Sequence, residues 1–190
     1  MKKATPTGAG KSSFELIDST LLFRELDLKP GVTVLDLACG KGAYTLAASE
    51  KVGSKGTVFA VDLWEEGITL LKREVASRSI QNINAQVGDA GRHIPIEDGV
   101  IDVCLMATVL HDFVQDGVVS GVLKETVRVL KPGGVLAIND FKKIEGPRGP
   151  PITVRLAPED VENILSDYNF KKGKTTTIGP YNYLMVFEIQ

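Results

Sequence analysis

Small and acidic residues follow several apolar runs of this 190-residue chain. The first stretch, VLDLACGKGAY from Val34 to Tyr44, places Asp36 inside an apolar run and Gly40 and Gly42 just after it. Small residues after a strand let another group approach the backbone closely. The N-terminus of a following helix favours polar or anionic groups, and a buried acid needs partners such as loop amides or a ligand cation. We therefore expect a ligand at this turn.

The elements that position these residues alternate between strand and helix. Short apolar runs rich in Val and Leu predict buried strands, and apolar residues at helical spacing predict helices. The predicted strands are residues 32–37, 57–61, 83–87, 100–107, 135–139, 170–178 and 183–189. The predicted helices are one within 12–28, which starts with a capping box at Ser12 and Glu15, and those at 42–51, 65–78, 116–130 and 158–168.

This alternation predicts an α/β fold with a doubly wound, mostly parallel sheet of seven strands, an antiparallel C-terminal hairpin and helices on both faces. We expect a single domain over residues 1–190. Residues 1–28 would form an N-terminal arm and helix, and residues 141–157 a substrate-side loop. Ligands of such sheets bind beyond the carboxyl ends of the strands, beside strand one.

Composition excludes several classes of protein. The chain is 43% hydrophobic with a net charge of −2, so no global basic field points to nucleic acid or an anionic membrane. No apolar run approaches the roughly 20 residues that span a bilayer, and the N-terminal lysines precede no apolar core of a secretory signal. Two cysteines, Cys39 and Cys104, give neither a disulfide framework nor a zinc site. We expect a cytoplasmic protein without a metal site.

Three nucleotide-binding patterns compete for the first turn. A P-loop requires G-x-x-x-x-G-K-[ST], but Thr5 stands where its first glycine should precede Gly10-Lys11-Ser12. A dinucleotide fold requires G-x-G-x-x-G, and Gly40-Lys41-Gly42 continues without the third glycine. The third pattern is that of S-adenosylmethionine (SAM).

The segment from Asp36 to Gly42 resembles the first motif of class I SAM-dependent methyltransferases, acid-x-G-x-G-x-G, with Ala38 at the first glycine. Further segments match that family in order: Asp62-Leu63-Trp64 after strand two and Gly88-Asp89-Ala90 after strand three. IEDGVIDVCLMATVLHDF and RVLKPGGVLAINDF resemble its segments at strands four and five. The resemblance implies a Rossmann-like fold and SAM as the cofactor.

The resemblance also implies roles for these residues. Asp62 would bind the ribose hydroxyls, and Asp89 would accept a hydrogen bond from the adenine amino group. Carboxylates accept such bonds well, although helix capping is the open alternative for both acids. Leu63 and Trp64 would contact the adenine. The implied cofactor-binding residues are Asp36, Ala38, Cys39, Gly40, Gly42, Tyr44, Asp62, Leu63, Trp64, Gly88, Asp89, Ala90, Ala107 and Thr108.

Residues after strand four point to the methyl acceptor. His111-Asp112-Phe113 resembles the His-Asp-Trp of plant-type small-molecule O-methyltransferases, whose histidine is the general base. We expect His111 and Asp140 to serve the acceptor, with a lining or capping histidine as the alternative. Three basic residues could face either an anionic substrate or solvent: Lys142, Arg148 and Arg155.

The sequence therefore predicts methyl transfer from SAM to a small-molecule acceptor, at oxygen or activated carbon. The rivals are a non-catalytic SAM-binding protein, an NAD-dependent oxidoreductase and an aminopropyl-transferring enzyme. The net charge argues against a nucleic-acid partner, and a local basic rim around residues 142–155 leaves a nucleic-acid or protein acceptor as an open alternative. We expect a homodimer, because the chain is small and leaves a sheet edge uncovered.

Overall fold

Seven strands form one mixed sheet in a computed structural model, which describes residues 8–146 and 148–190. The spatial order is β3–β2–β1–β4–β5–β7–β6. The strands are β1 (Thr33–Leu37), β2 (Thr57–Asp62), β3 (Ile83–Val87), β4 (Ile101–Ala107), β5 (Leu130–Phe141), β6 (Phe170–Thr177) and β7 (Asn182–Ile189). Strands β1 to β5 are parallel, and β7 runs antiparallel between β5 and β6. The predicted fold class is confirmed.

Helices cover both faces of this sheet, because successive strand residues point to opposite sides. On β1, Leu35 and Leu37 belong to the core cluster that includes Leu123, whereas Val34 packs with Leu22 in the other cluster. The helices are α1 (Ser19–Glu25), α2 (Ala43–Val52), α3 (Glu65–Ser77), α4 (Leu110–Gln115), α5 (Val119–Val129) and α6 (Pro158–Leu165). The first face carries α5, and the second carries α1 and α2.

The N-terminal helix begins later than its sequence predicts. Phe14–Leu16 forms a single 3-10 turn, extended backbone at Ile17 interrupts it, and α1 starts at Ser19. Asp18 caps α1 by accepting a hydrogen bond from Leu21 N at 2.9 Å. The predicted capping box at Ser12 is wrong, since the Ser12 hydroxyl accepts from Phe14 N instead.

The predicted helix over residues 116–130 is also wrong in its extent. The segment begins with a turn between α4 and α5, at which Gly117 has a φ of +69°, a conformation that suits glycine, and α5 starts only at Val119. Strand β5 then starts at Leu130, earlier than expected, because Leu130 already pairs with Ile101 before a register shift.

The helices are short, as expected of a small α/β domain. Within residues 8–146 and 148–190, no helix is both long and apolar enough to cross a membrane.

Candidate functional site

A pocket of about 470 Å³ lies at the carboxyl ends of β1, β2, β3 and β4. Its lining residues form two groups. The strand-loop wall comes from residues 36, 38–41, 43–44, 61–64 and 88–91, at the ends of β1, β2 and β3. The arm wall comes from residues 8–13, which precede the first helical turn, and from residues 107–109, 112–113, 116 and 118, around α4. The pocket therefore lies at the ligand-binding edge expected of a parallel sheet.

All but one of the fourteen predicted cofactor-binding residues line this pocket. The exception is Gly42, which shapes the turn without lining the cavity. Its φ is +81°, and a Cβ there would overlap the Leu71 side chain. Ala38, at φ +60°, also adopts the left-handed conformation that L-residues avoid. The β1–α2 turn is thus a tight backbone loop pressed against α3.

Asp36 is buried in β1, with 2% of its surface exposed. Its partner is the Thr45 hydroxyl, which donates to Oδ2 at 2.5 Å. Burial raises the pKa of Asp36 to about 7, and the bond from Thr45 opposes that rise. The partner expected for this acid was a loop amide or a ligand cation, and a hydroxyl on α2 provides it instead.

Asp62 joins the first two loops of the strand-loop wall. Its Oδ2 accepts from Gly40 N at 2.7 Å, and its Oδ1 accepts from Trp64 N at 2.7 Å. The helix-capping role considered for Asp62 is absent, because Trp64 is the N-cap residue of α3 and no side chain caps that helix. The Asp62 bond to Trp64 N closes a turn that precedes the helix. A carboxylate has about four acceptor positions in total, so the same oxygens can still receive hydroxyl groups of a ligand.

Trp64 stands between the two walls. The Lys41 ammonium lies 5.9 Å from the centre of its ring, and a Cβ at Gly10 would lie 3.5 Å from the indole. In the third loop, the Asp89 carboxylate lies 3.5 Å from Arg92 Nε. The backbone of Asp89 forms an isolated antiparallel β-bridge with that of His93. The pocket lining next to these residues includes Leu63, Gly88 and Ala90.

The structure brings His111 and Asp140 together, but behind the pocket. The His111 Nδ1 lies 2.8 Å and 3.1 Å from the two carboxylate oxygens of Asp140. His111 is 4% exposed and Asp140 0% exposed, and neither lines the cavity. Burial opposes the imidazolium, but Asp140 and then Asp112 outweigh it, so the pKa of His111 is raised above its ordinary value.

Asp112, the neighbour of His111, does line the pocket. Its side chain is 29% exposed, and its Oδ1 lies 3.6 Å from His111 Nε2. Burial raises the pKa of Asp112, and the His111 charge lowers it. The sequence singled out His111 at this position, whereas the carboxylate that reaches the cavity belongs to Asp112.

A polar network ties the arm to the sheet. The hydroxyls of Ser13 and Tyr44 lie 2.8 Å apart, and Asn139 Nδ2 donates to Tyr44 Oη at 2.8 Å. Ser13 Oγ also lies 3.2 Å from Thr108 Oγ1. Thr108 has a φ of +55°, which is strained for a β-branched residue. Neither the network nor this strain was predicted, because the residues are far apart in the sequence.

The basic residues after β5 do not line the pocket. The Arg155 guanidinium is buried and donates to the carbonyls of Lys142, Ile144, Arg148 and Pro150. The Lys142 ammonium donates to the carbonyls of Gly179 and Pro180. An anionic-substrate role for Arg155 and Lys142 is therefore wrong: they hold the loop after β5 together.

A family model described as a methyltransferase domain matches residues 28–177. An arsenite methyltransferase of Halobacterium salinarum is 34% identical over 113 residues, which are 60% of this chain and 28% of that protein. A demethylmenaquinone methyltransferase of Lactobacillus johnsonii is 31% identical over 163 residues, which are 85% of this chain and 62% of that protein. The chain thus spans less than two thirds of the length of these curated relatives.

The similarity to a solved structure extends over the whole chain. A crystal structure of a SAM-dependent methyltransferase from Aquifex aeolicus has a TM-score of 0.88 and 31% sequence identity, covering 99% of this chain and 100% of that chain.

Proposed function

This chain belongs to the SAM-dependent methyltransferase family, and on that premise we propose that it transfers a methyl group from SAM to a small-molecule acceptor. One observation carries the proposal: the carboxyl ends of β1, β2 and β3 and the loops after them form one wall of a pocket of about 470 Å³, lined by the acids Asp36, Asp62 and Asp89. Oxygen or activated carbon is the acceptor atom we propose.

The strand-loop wall suits the cofactor by its own chemistry. Asp62 retains acceptor positions for a ribose diol beyond its two amide contacts. Asp89 lines the pocket and would accept from the adenine amino group. When bound, SAM would supply a methyl group attached to a positively charged sulfur. This sulfur is the leaving group and becomes a neutral thioether. The residues of this wall bind and orient it.

The arm wall would hold the acceptor. Phe113 and Val118 give it apolar surface, and Asp112 and Asp116 give it charge. The demethylmenaquinone methyltransferase among the relatives favours an aromatic ring as acceptor. The arsenite relative is a poorer guide, because burial raises the pKa of both cysteines of the chain, Cys39 and Cys104, and leaves them protonated.

The predicted roles of His111 and Asp140 in acceptor chemistry stay part of this proposal. So do a cytoplasmic location, which the reduced cysteines support, and a homodimer, which the edge strands β3 and β6 could form. Size-exclusion chromatography with light scattering would test the dimer.

A turnover assay tests the proposal. Purified protein is incubated with SAM and, in separate reactions, a short-chain demethylmenaquinone reduced to the hydroquinone, a simple phenol or arsenite. We expect S-adenosylhomocysteine and a methylated ring compound, both detected by mass spectrometry. Binding of SAM without turnover on any ring compound would instead favour the non-catalytic rival.

A further inference from the structure

The pocket side of α4 presents a carboxylate and not an imidazole. Asp112 lines the cavity, and the neighbouring His111 ring is buried beneath it. Gly8 of the arm lies over Asp112, since a Cβ at Gly8 would be 3.2 Å from Oδ2. The Asp112 carboxylate is therefore a half-enclosed group between the arm and α4, and it is one that the sequence-based assignment of roles did not use.

The position of the proton on His111 follows from its partner. Asp140 Oδ1 also accepts from Phe141 N at 2.7 Å, and an ionised carboxylate only accepts hydrogen bonds. Nδ1 of His111 must therefore carry a hydrogen and donate it to Asp140. In the neutral ring this leaves the Nε2 lone pair free to accept a proton, and Nε2 is the atom 3.6 Å from Asp112 Oδ1. That separation is within ion-pair range and beyond hydrogen-bond length.

Charged groups from several elements surround these two side chains. Asp112 faces His111, Asp116, Asp140 and Lys11. His111 faces Asp140 and Asp112, together with Arg155 from the loop after β5. Two carboxylates thus lie on opposite sides of one buried imidazole.

Resting on the methyl-transfer function proposed above, we propose that Asp112 is the catalytic residue that takes the acceptor's proton, and that His111 and Asp140 position it from behind. The acceptor O–H bond breaks, and its proton goes to the Asp112 carboxylate. The freed electron pair forms the bond to the methyl carbon, and the C–S electron pair stays on sulfur. Asp112 can then release the proton to solvent, since its side chain is 29% exposed.

This arrangement selects a class of acceptor. A carboxylate is a weak base, and general-base catalysis works best when the base and the acid are close in pKa. Asp112 therefore suits a phenol or enol, whose proton is acidic, and an aliphatic alcohol poorly. Phe113, the next residue on the arm wall, offers an aromatic face to such a ring.

Nuclear magnetic resonance of the unliganded protein tests the geometry. The chain has two histidines, so a His93→Gln background leaves His111 as the only imidazole signal. We expect Asp112→Asn to lower the midpoint of the His111 titration, because it removes a facing negative charge. The matched control Asp167→Asn, at an exposed position after α6, should leave it in place. An Asp112→Asn titration that coincides with the control overturns the proposal.

Kinetics with the reduced short-chain demethylmenaquinone and the phenol test the chemistry. We expect Asp112→Asn to lower kcat by ~100-fold or more, as for loss of a general base, with calorimetric affinity for S-adenosylhomocysteine within twofold of wild type. Asp112→Glu should recover part of the rate, and His111→Gln should shift the pH dependence of kcat. A kcat for Asp112→Asn within threefold of wild type overturns the proposal.

Failure of the proposed function is distinguishable, because wild-type protein would then methylate no acceptor, whether or not it binds SAM. The His111 titration needs no ligand and would still report the geometry of Asp112.

Discussion

In the strand-loop wall one carboxylate binds main-chain amides of two loops, whereas the arm wall depends on hydrogen bonds between side chains from distant parts of the sequence. In the first, Asp62 joins two loops through the amides of Gly40 and Trp64. In the arm wall, the Ser13 hydroxyl hydrogen-bonds to the Tyr44 hydroxyl, and the side-chain amide of Asn139 on β5 donates to that same hydroxyl. One wall is thus a local property of strand ends, and the other exists only once the sheet has assembled.

The buried acids near the two walls also differ in their hydrogen-bond partners. Asp36 has a hydroxyl partner, and burial raises its pKa to about 7. Asp140 has an imidazole partner together with the amide of Phe141. Burial thus opposes the charged form of Asp36, whereas Asp140 raises the pKa of the buried His111 imidazole beside it.

The largest effect on stability should come from breaking the buried pair of His111 and Asp140 beneath the arm wall. We expect Asp140→Asn to lower the free energy of unfolding by about 3–5 kcal/mol, as for other broken buried pairs. The raised pKa of His111 means that its contribution is complete below the unfolded value of 6.5 and is lost as pH rises through the folded pKa. Urea unfolding should therefore show a larger loss at pH 5.5 than at pH 9. An equal loss at both values would contradict the charged pair.

The second-largest loss of stability should come from a substitution in the strand-loop wall. Gly42→Ala combines left-handed strain with overlap at Leu71, and we expect it to cost about 2–4 kcal/mol. Gly117→Ala is the matched control, because Gly117 is the left-handed residue that ends α4, with a φ of +69°, and a Cβ there would meet nothing within 4 Å. It should cost about 1–2 kcal/mol from strain alone. Equal losses in urea unfolding would show that packing against α3 is unimportant.

The raised pKa of the buried Asp36 carboxyl should make the stability of the protein depend on pH. Its folded pKa of about 7 lies above the unfolded value of 3.8. Its contribution is therefore complete below pH 3.8 and is lost as pH rises through 7. Asp36→Asn removes this titration, so its stability relative to wild type should improve by about 2 kcal/mol from pH 5 to pH 7. A difference that stays constant across this range would contradict the buried, protonated carboxyl.

The smallest effect concerns the attachment of the arm. Ser13→Ala removes a buried hydroxyl from the network with Tyr44 and Thr108, and we expect a loss of about 1 kcal/mol. Amide hydrogen exchange in residues 8–13 should become faster. Ser12→Ala, at an exposed position, should leave these rates unchanged. Similar rates in both variants would show that the arm does not depend on this bond.

The sequence predicted the strand-loop wall well because its signals are local. An acid at the end of an apolar strand, followed by small residues, specifies a turn such as Ala38 to Gly42 without knowledge of the rest of the chain. The strands of the sheet were found for the same reason. The arm wall was not predicted, since Ser13, Tyr44 and Asn139 meet only through the strand order.

The assignment at α4 shows a second limit of the sequence. His111 and Asp112 are consecutive, and consecutive helical residues point about 100° apart. Which of the two faces the cavity depends on how this short helix sits on β4 and β5. The division of residues 116–130 into a turn, α5 and the start of β5 was missed for a similar reason. The turn signal of Gly117 was overlooked because the apolar residues around it recur at helical spacing.

Calorimetric titration with S-adenosylhomocysteine tests the central claim most directly, namely that the strand-loop wall binds the cofactor through Asp62. The control is Asp102→Asn, because Asp102 also accepts from a backbone amide, that of Thr33, but lies at the start of β4, away from the pocket. We predict that wild type and Asp102→Asn bind alike and that Asp62→Asn binds at least tenfold more weakly, about 1.4 kcal/mol or more. Equal affinity for all three folded proteins would contradict the account.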